Sequence, residues 1–545
     1  MAKEGNTTAH TVKPGEALKK KKQAETNKNY LIWGLIGLGI LVNAVIIYQN
    51  YIQIHHPIQN LGNGKFVIDY QSSIKNHNKA SQDFASELKT YRNQITNLEL
   101  QLSLNQFNAE QMGFLSQGLI YLDSVQNIKI SLSHNEIGDK GALNICTVLA
   151  ALPRLQTLHL GLDAMKLSNE TLNQCMQFLG ESKSLTALTV SLIHNKIKDE
   201  GAKALIDGFT ELKKKLTTLN LILISNEFTS DVGKIFETFL PSLEKTTSLY
   251  LSLYANKIGA EGAHYLSKGL ETQGQLKNLN LDLFFNNITD TGAQSLSKAL
   301  TKLESLETLK LNLEFNYIQN EGGQYVGEAL KNLVNLKTLH INVATKNFGY
   351  TGFKHITEGL QALVNLEELY IHCGVNKIGP LGIQDLKLVY SRLTKLKRVR
   401  LNFYENSLGD PNAIKVNEMF DALKSVEELE LNFNFNNLLE YGITQILKGA
   451  QKLPNLKKLD LDVGQSEVND EDVNSIFVEL DNVGKKVAEV EFSFLHTAIT
   501  QEVADKLALR YANHPNIKLN INSSVSKDYL DDRKKKQEQE KKDNL

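Results

Sequence analysis

An asparagine that returns about every thirty residues constrains this chain more than any other feature. It stands at Asn105, Asn135, Asn195, Asn226, Asn256, Asn286, Asn316, Asn376, Asn406 and Asn436, and Met165, Lys346, Ser466 and Thr497 continue the frame. Every step is thirty residues except Asn195 to Asn226 and Ser466 to Thr497, which are thirty-one. One unit, Leu249–Leu270, shows the pattern. Leu249, Leu251 and Leu253 alternate, as a strand buried on one face does. Asn256 and Ile258 follow, then Gly262, then Ala263, Leu266 and Leu270 at helical spacing. The unit reads strand, tight turn, helix. A single unit of this kind cannot bury its apolar face alone, whereas stacked copies can. The period therefore overrides the three or four globular domains that 545 residues would otherwise suggest.

Each position has a physical task. The alternating leucines point into the interior, and parallel strands need the helix as their return crossover. The Asn amide satisfies backbone groups where adjacent turns leave their strands. Lys346 breaks the ladder, and Asn347 beside it is the expected replacement after a small register change. Glycine lets the chain enter the helix tightly. Strands about 4.8 Å apart give a sheet roughly 65 Å long over fourteen units.

The pattern LxxLxLxxN followed by a helix resembles the leucine-rich repeat family. The Gly-Ala pairs Gly141-Ala142, Gly201-Ala202, Gly262-Ala263 and Gly292-Ala293, with the repeat length, resemble its ribonuclease-inhibitor subclass. The likeness spans Ile95 to about Tyr511. It implies an α/β horseshoe solenoid of about fourteen repeats, its parallel sheet concave and its helices convex. One departure is an extra apolar alternation before the Asn, as in Leu219, Leu221 and Leu223.

The amino-terminal end differs from everything else. Residues 1–29 form a basic polar tail, with seven lysines against three glutamates. Tyr30–Tyr48 then runs without a charge. Nineteen helical residues span roughly 28 Å, near a bilayer's hydrocarbon thickness. Aromatic residues flank the run at Tyr30, Trp33, Tyr48 and Tyr51. Residues 30–52 are expected to be a single transmembrane helix surrounded by lipid. Gly39 and Asn43, one turn apart, mark a face where a second membrane helix is expected to dock. Lys19–Lys22 and Lys28 precede the span and no cation follows until Lys65, which places the amino terminus in the cytosol. The last four residues, Lys542 to Leu545, resemble a retrieval signal except at Asn544, which leaves an endoplasmic reticulum or other endomembrane location open. Residues 53–94 read as a linker and cap, with a strand at Phe66–Tyr70 and a helix at Ala80–Tyr91. Residues 95–522 form the repeat domain, and 523–545 a charged tail.

Function is sought between the leucines, on the face the helices do not cover. The mixed middle of that face, Tyr250, Lys310, His340, Tyr370, His372, Arg400 and Tyr404, suits a protein partner, because Tyr and Arg carry much interface energy. A net charge of −1 gives no case for nucleic acid. Three cysteines without a CxxC pair make neither a disulfide framework nor a zinc site. No nucleotide-binding, metalloprotease or serine-hydrolase motif occurs, so neither an enzyme nor a cofactor is expected. The expected role is a membrane-anchored receptor-like or scaffold protein. Two alternatives stay open. One is a regulator of a small GTPase or nuclease, as the resemblance to ribonuclease inhibitor and to Ran GTPase-activating proteins implies. The other is a structural subunit of a membrane complex.

Overall fold

The computed structural model describes residues 58–69, 77–346 and 348–523. The membrane-helix reading of residues 30–52, with Gly39 and Asn43, lies outside them. So do both charged tails, but for Ser523. Among the described residues no helix is long and apolar enough to cross a membrane.

The described residues hold seventeen strands in one sheet and fifteen α-helices that alternate with them. Ile58–Asn60 pairs antiparallel with Lys65–Asp69. From there on each strand pairs parallel with the next in sequence, through to Ile517–Ser523. The register follows the repeat, so that Leu249, Leu279, Leu309 and Leu339 fall in one row. Along strands such as Thr308–Asn312, Thr338–Asn342 and Glu368–His372 the apolar inward residues are buried while their neighbours stay half-exposed or exposed. Ala263, Leu266 and Leu270 on the following helix are also buried, and the repeats share one continuous apolar core.

The asparagine ladder is built as its chemistry requires. Asn256 donates from Nδ2 to the carbonyls of Leu253 at 2.8 Å and Leu223 at 3.2 Å. Its Oδ1 accepts from the amides of Asn226 at 3.0 Å and Phe228 at 3.1 Å. Each such side chain closes its own turn and staples it to the one before. The residue preceding the Asn is left-handed, as at Ala255 (φ 53°), Phe285 (φ 52°) and Phe315 (φ 53°).

The Lys346 repeat departs from the frame of its neighbours. Here the left-handed residue is Lys346 itself, with φ 72°. The left-handed position has moved one residue later, Lys346 is exposed, and Thr345 is buried. Its hydroxyl donates to Ile318 O at 2.9 Å, and its amide is 3.3 Å from Asn376 Oδ1. Asn347 lies outside the described residues.

The segment before the repeats is part of the sheet. Lys65–Asp69 pairs in register with Asn97–Gln101, burying Phe66 and Ile68 at the positions of Leu98 and Leu100. Helix His77–Tyr91 covers this end with Phe84 and Leu88, and Tyr91 lies 5.6 Å from the Phe66 ring.

Candidate functional site

The sheet face opposite the helices is the candidate surface. Lys310, His340, Tyr370 and Arg400 lie side by side across four adjacent strands. His372 follows Tyr370 on strand Glu368–His372. Tyr250 lies two strands from Lys310, with Asn280 between them. Tyr404 sits in the turn after strand Arg398–Asn402. The predicted set is thus one patch of five residues with two flanking tyrosines.

Most of the charge in that patch is already paired. His340 Nε2 is 2.9 Å from Glu368 Oε1. Arg398 gives Glu368 two bonds, 3.1 Å from Nε and 2.8 Å from Nη2. Burial pushes the Glu368 carboxyl up, but Arg398 and His340 outweigh it and hold it below its usual value. Burial holds His340 below its ordinary value despite Glu368. Arg400 Nε is 3.1 Å from Glu430. Tyr370 meets the His340 ring edge-on at 5.7 Å and stacks on His372 at 6.5 Å. Burial pushes His372 down to about 4. Glu314 is 3.7 Å from His372 and is itself pushed up by burial, so desolvation outweighs the attraction between them. The asparagines of this face shape its turns. Asn312, Asn402 and Asn432 accept from the amides of Glu314, Tyr404 and Asn434 at 2.9–3.1 Å.

Two features lie where the strands end and their turns begin, around the ladder Asn. The first is an aromatic rim where three strands end. Tyr254 and Phe284 stack at 4.3 Å with 5° between ring planes, and Phe284 lies 5.1 Å from Phe315. Phe285, Phe315 and Tyr317 stand 55%, 46% and 61% exposed. The second is a pair of half-buried carboxylates beside that rim. Asp282 accepts from Ser252 Oγ and Asn312 Nδ2, both at 3.0 Å. Glu314 accepts from Asn342 Nδ2 at 2.6 Å. Burial raises both pKa values. The sequence signal for the rim was present in the motifs Phe284-Phe285-Asn286 and Phe315-Asn316-Tyr317, where bulky apolar side chains occupy turn positions.

Further along the face, Glu430, Asp460 and Glu491 are register neighbours. Burial, with Glu491, Glu430 and Asp462 nearby, pushes Asp460 up to about 6. Among the described residues no group of three or more His, Cys, Asp or Glu side chains is placed to hold a metal ion.

A family model for leucine-rich repeats matches residues 128–146, 182–205 and 275–297. Those three segments are similar to leucine-rich repeats. Their strands, turn asparagines and helix starts coincide with the units described above, and they take in residues 128–131 of strand Asn127–Ser131 and all of strands Ala187–Ser191 and Asn278–Asp282. No curated protein matches the chain in sequence. Among solved structures, a glycosylated form of the Drosophila Toll–Spätzle complex, described as a molecular hub in development and innate immunity, aligns over 85% of this chain and 69% of its own, with 13% identity and a TM-score of 0.32.

Proposed function

We propose that this leucine-rich-repeat chain is a non-enzymatic, membrane-anchored scaffold that binds a protein partner on the open face of its sheet. The aromatic rim carries the reading. Phe285, Phe315 and Tyr317 are large apolar side chains exposed together in two successive turns. The leucines and asparagines already meet the demands of stability, and a contiguous apolar patch on a soluble surface marks an interaction site. The row Lys310, His340, Tyr370 and Arg400 lies beside it and supplies polar contacts, with Lys310 and Arg400 exposed. The finer ribonuclease-inhibitor likeness rests on the Gly-Ala pairs and the repeat length. Anchoring is assigned to the charge-free run within residues 30–52.

The test is retention of the cognate partner by full-length protein. Phe285→Ser with Phe315→Ser is expected to reduce retention at least tenfold, as truncating interface anchors does. Tyr370→Ala with Arg400→Glu is expected to weaken it less. Unchanged retention in both variants refutes the assignment of this face.

A further inference from the structure

Four carboxylates, Glu99 on its strand and Glu307, Glu367 and Glu427 just before theirs, are each neutralised by a lysine thirty residues downstream. Glu99 is paired with Lys129 at 2.7 Å, Glu307 with Lys337 at 2.6 Å, Glu367 with Lys397 at 3.2 Å and Glu427 with Lys457 at 2.5 Å. Asp282 and Glu314 are different. Thirty residues on from them stand Asn312 and Ala344. Among the described residues neither has a lysine or arginine within ion-pair distance, and the one titratable neighbour paired with either is His372, 3.7 Å from Glu314. Both are half-buried, so each carries its charge at a desolvation cost that hydrogen bonds offset only in part.

Beside these two acids stand ring faces. Tyr254 and Phe284 are stacked one strand apart, and Phe315 continues the row. Asp282 Oδ1 accepts from the Phe284 amide at 3.3 Å and Glu314 directly precedes Phe315, which places both acids at the rim. A ring of this rim already holds a cation, because Lys346 Nζ lies over Phe315 at 5.6 Å from its centroid. Ring faces and desolvated carboxylates attract the same kind of group, and an ammonium or guanidinium satisfies both.

We infer that the surface formed by Tyr254, Asp282, Phe284, Glu314 and Phe315 receives a lysine or arginine side chain, flanked by apolar residues, from an extended segment of the protein partner. The inference rests on the sheet-face reading above and names the chemistry of its partner. Charge complementarity selects the cation, and the exposed Phe285 and Tyr317 select its apolar flanks. Lys310, two residues before the strand's last position, adds a positive rim that aligns the segment's own acceptors.

The probe is a set of three fluorescein-labelled peptides with alternating leucine and a variable residue, arginine, glutamine or glutamate. They are titrated by anisotropy onto the full-length chain in detergent. The arginine peptide is expected to bind roughly tenfold tighter than the glutamine peptide, and the glutamate peptide weakest. Asp282→Asn with Glu314→Gln keeps the hydrogen-bonding shape and is expected to erase that preference without lowering the thermal midpoint. Equal binding of all three peptides, lost in Phe315→Ser, overturns the cation and leaves sheet-face docking standing. Binding of none overturns both. Tighter arginine-peptide binding when Lys19, Lys20, Lys21 and Lys22 are all changed to Gln identifies the chain's own tail as the occupant and overturns a separate partner.

Discussion

At the scale of single residues, the ladder asparagines carry a heavier load than their size suggests. Asn256 serves two buried amides and two carbonyls of adjacent repeats. Its replacement by Ala orphans three of them, since Leu253 O also accepts from Asn286 Nδ2 at 2.8 Å, and a buried unpartnered backbone group costs about 1–3 kcal/mol. Asn256→Ala is therefore expected to lose about 3 kcal/mol or more in a denaturant titration. Asn105 is an internal control. It has no earlier Asn to serve, its Oδ1 is unpartnered, and its Nδ2 bonds only Ser103 O at 2.9 Å. Asn105→Ala is expected to cost less than half as much. Asp460 has the opposite sign. Its folded value of about 6 lies above the usual carboxyl value of 3.8. A carboxyl raised in this way favours folding while protonated, so its contribution is full below 3.8 and is lost as pH rises through about 6. Asp460→Asn is expected to raise the unfolding midpoint at neutral pH and to flatten the slope of stability across that window.

At the scale of elements, helix spacing is set by glycine. A Cβ on Gly327 would meet His355 O at 2.1 Å, and one on Gly359 would meet Gly327 O at 2.2 Å. Helices Asn320–Leu330 and Gly349–Leu360 touch backbone to backbone there. Gly327→Ala is expected to destabilise by about 1–3 kcal/mol through overpacking. Gly113, in helix Ala109–Leu119, has nothing within 4 Å of its Cβ direction. Gly113→Ala is expected to stabilise by about 0.5–1 kcal/mol through helix propensity, and thermal melts of the pair separate the two effects. These contacts also show where sequence reading ends. The strand leucines, the turn asparagines and the helix starts repeat at a fixed period, so one unit predicts the next. The close approach at Gly327 has no periodic signal, because it depends on how two particular helices pack. Thr345 was hidden for a similar reason. Its hydroxyl bond to Ile318 O depends on how neighbouring turns pack, which composition does not record.

At the scale of the whole molecule, the candidate surface was legible in part. The row Lys310, His340, Tyr370 and Arg400 follows from strand alternation alone, and the structure places those residues side by side. Their pairing to Glu368, Arg398 and Glu430 does not follow, since it depends on side-chain reach between strands. The aromatic rim lies in turns, where alternation gives no guide to exposure. The molecule separates its tasks by position. Inward columns hold the stack together, and the outward columns and the rim are left to recognise a partner. The most direct test of this division is site-specific photocrosslinking of the full-length chain in the cells that make it. A photoreactive phenylalanine analogue is placed at Phe315 on the rim or at Leu388, which is 57% exposed on helix Gly379–Arg392. Binding through the open sheet face predicts a discrete protein adduct from position 315 and none from 388, whereas an adduct from 388 with none from 315 contradicts it.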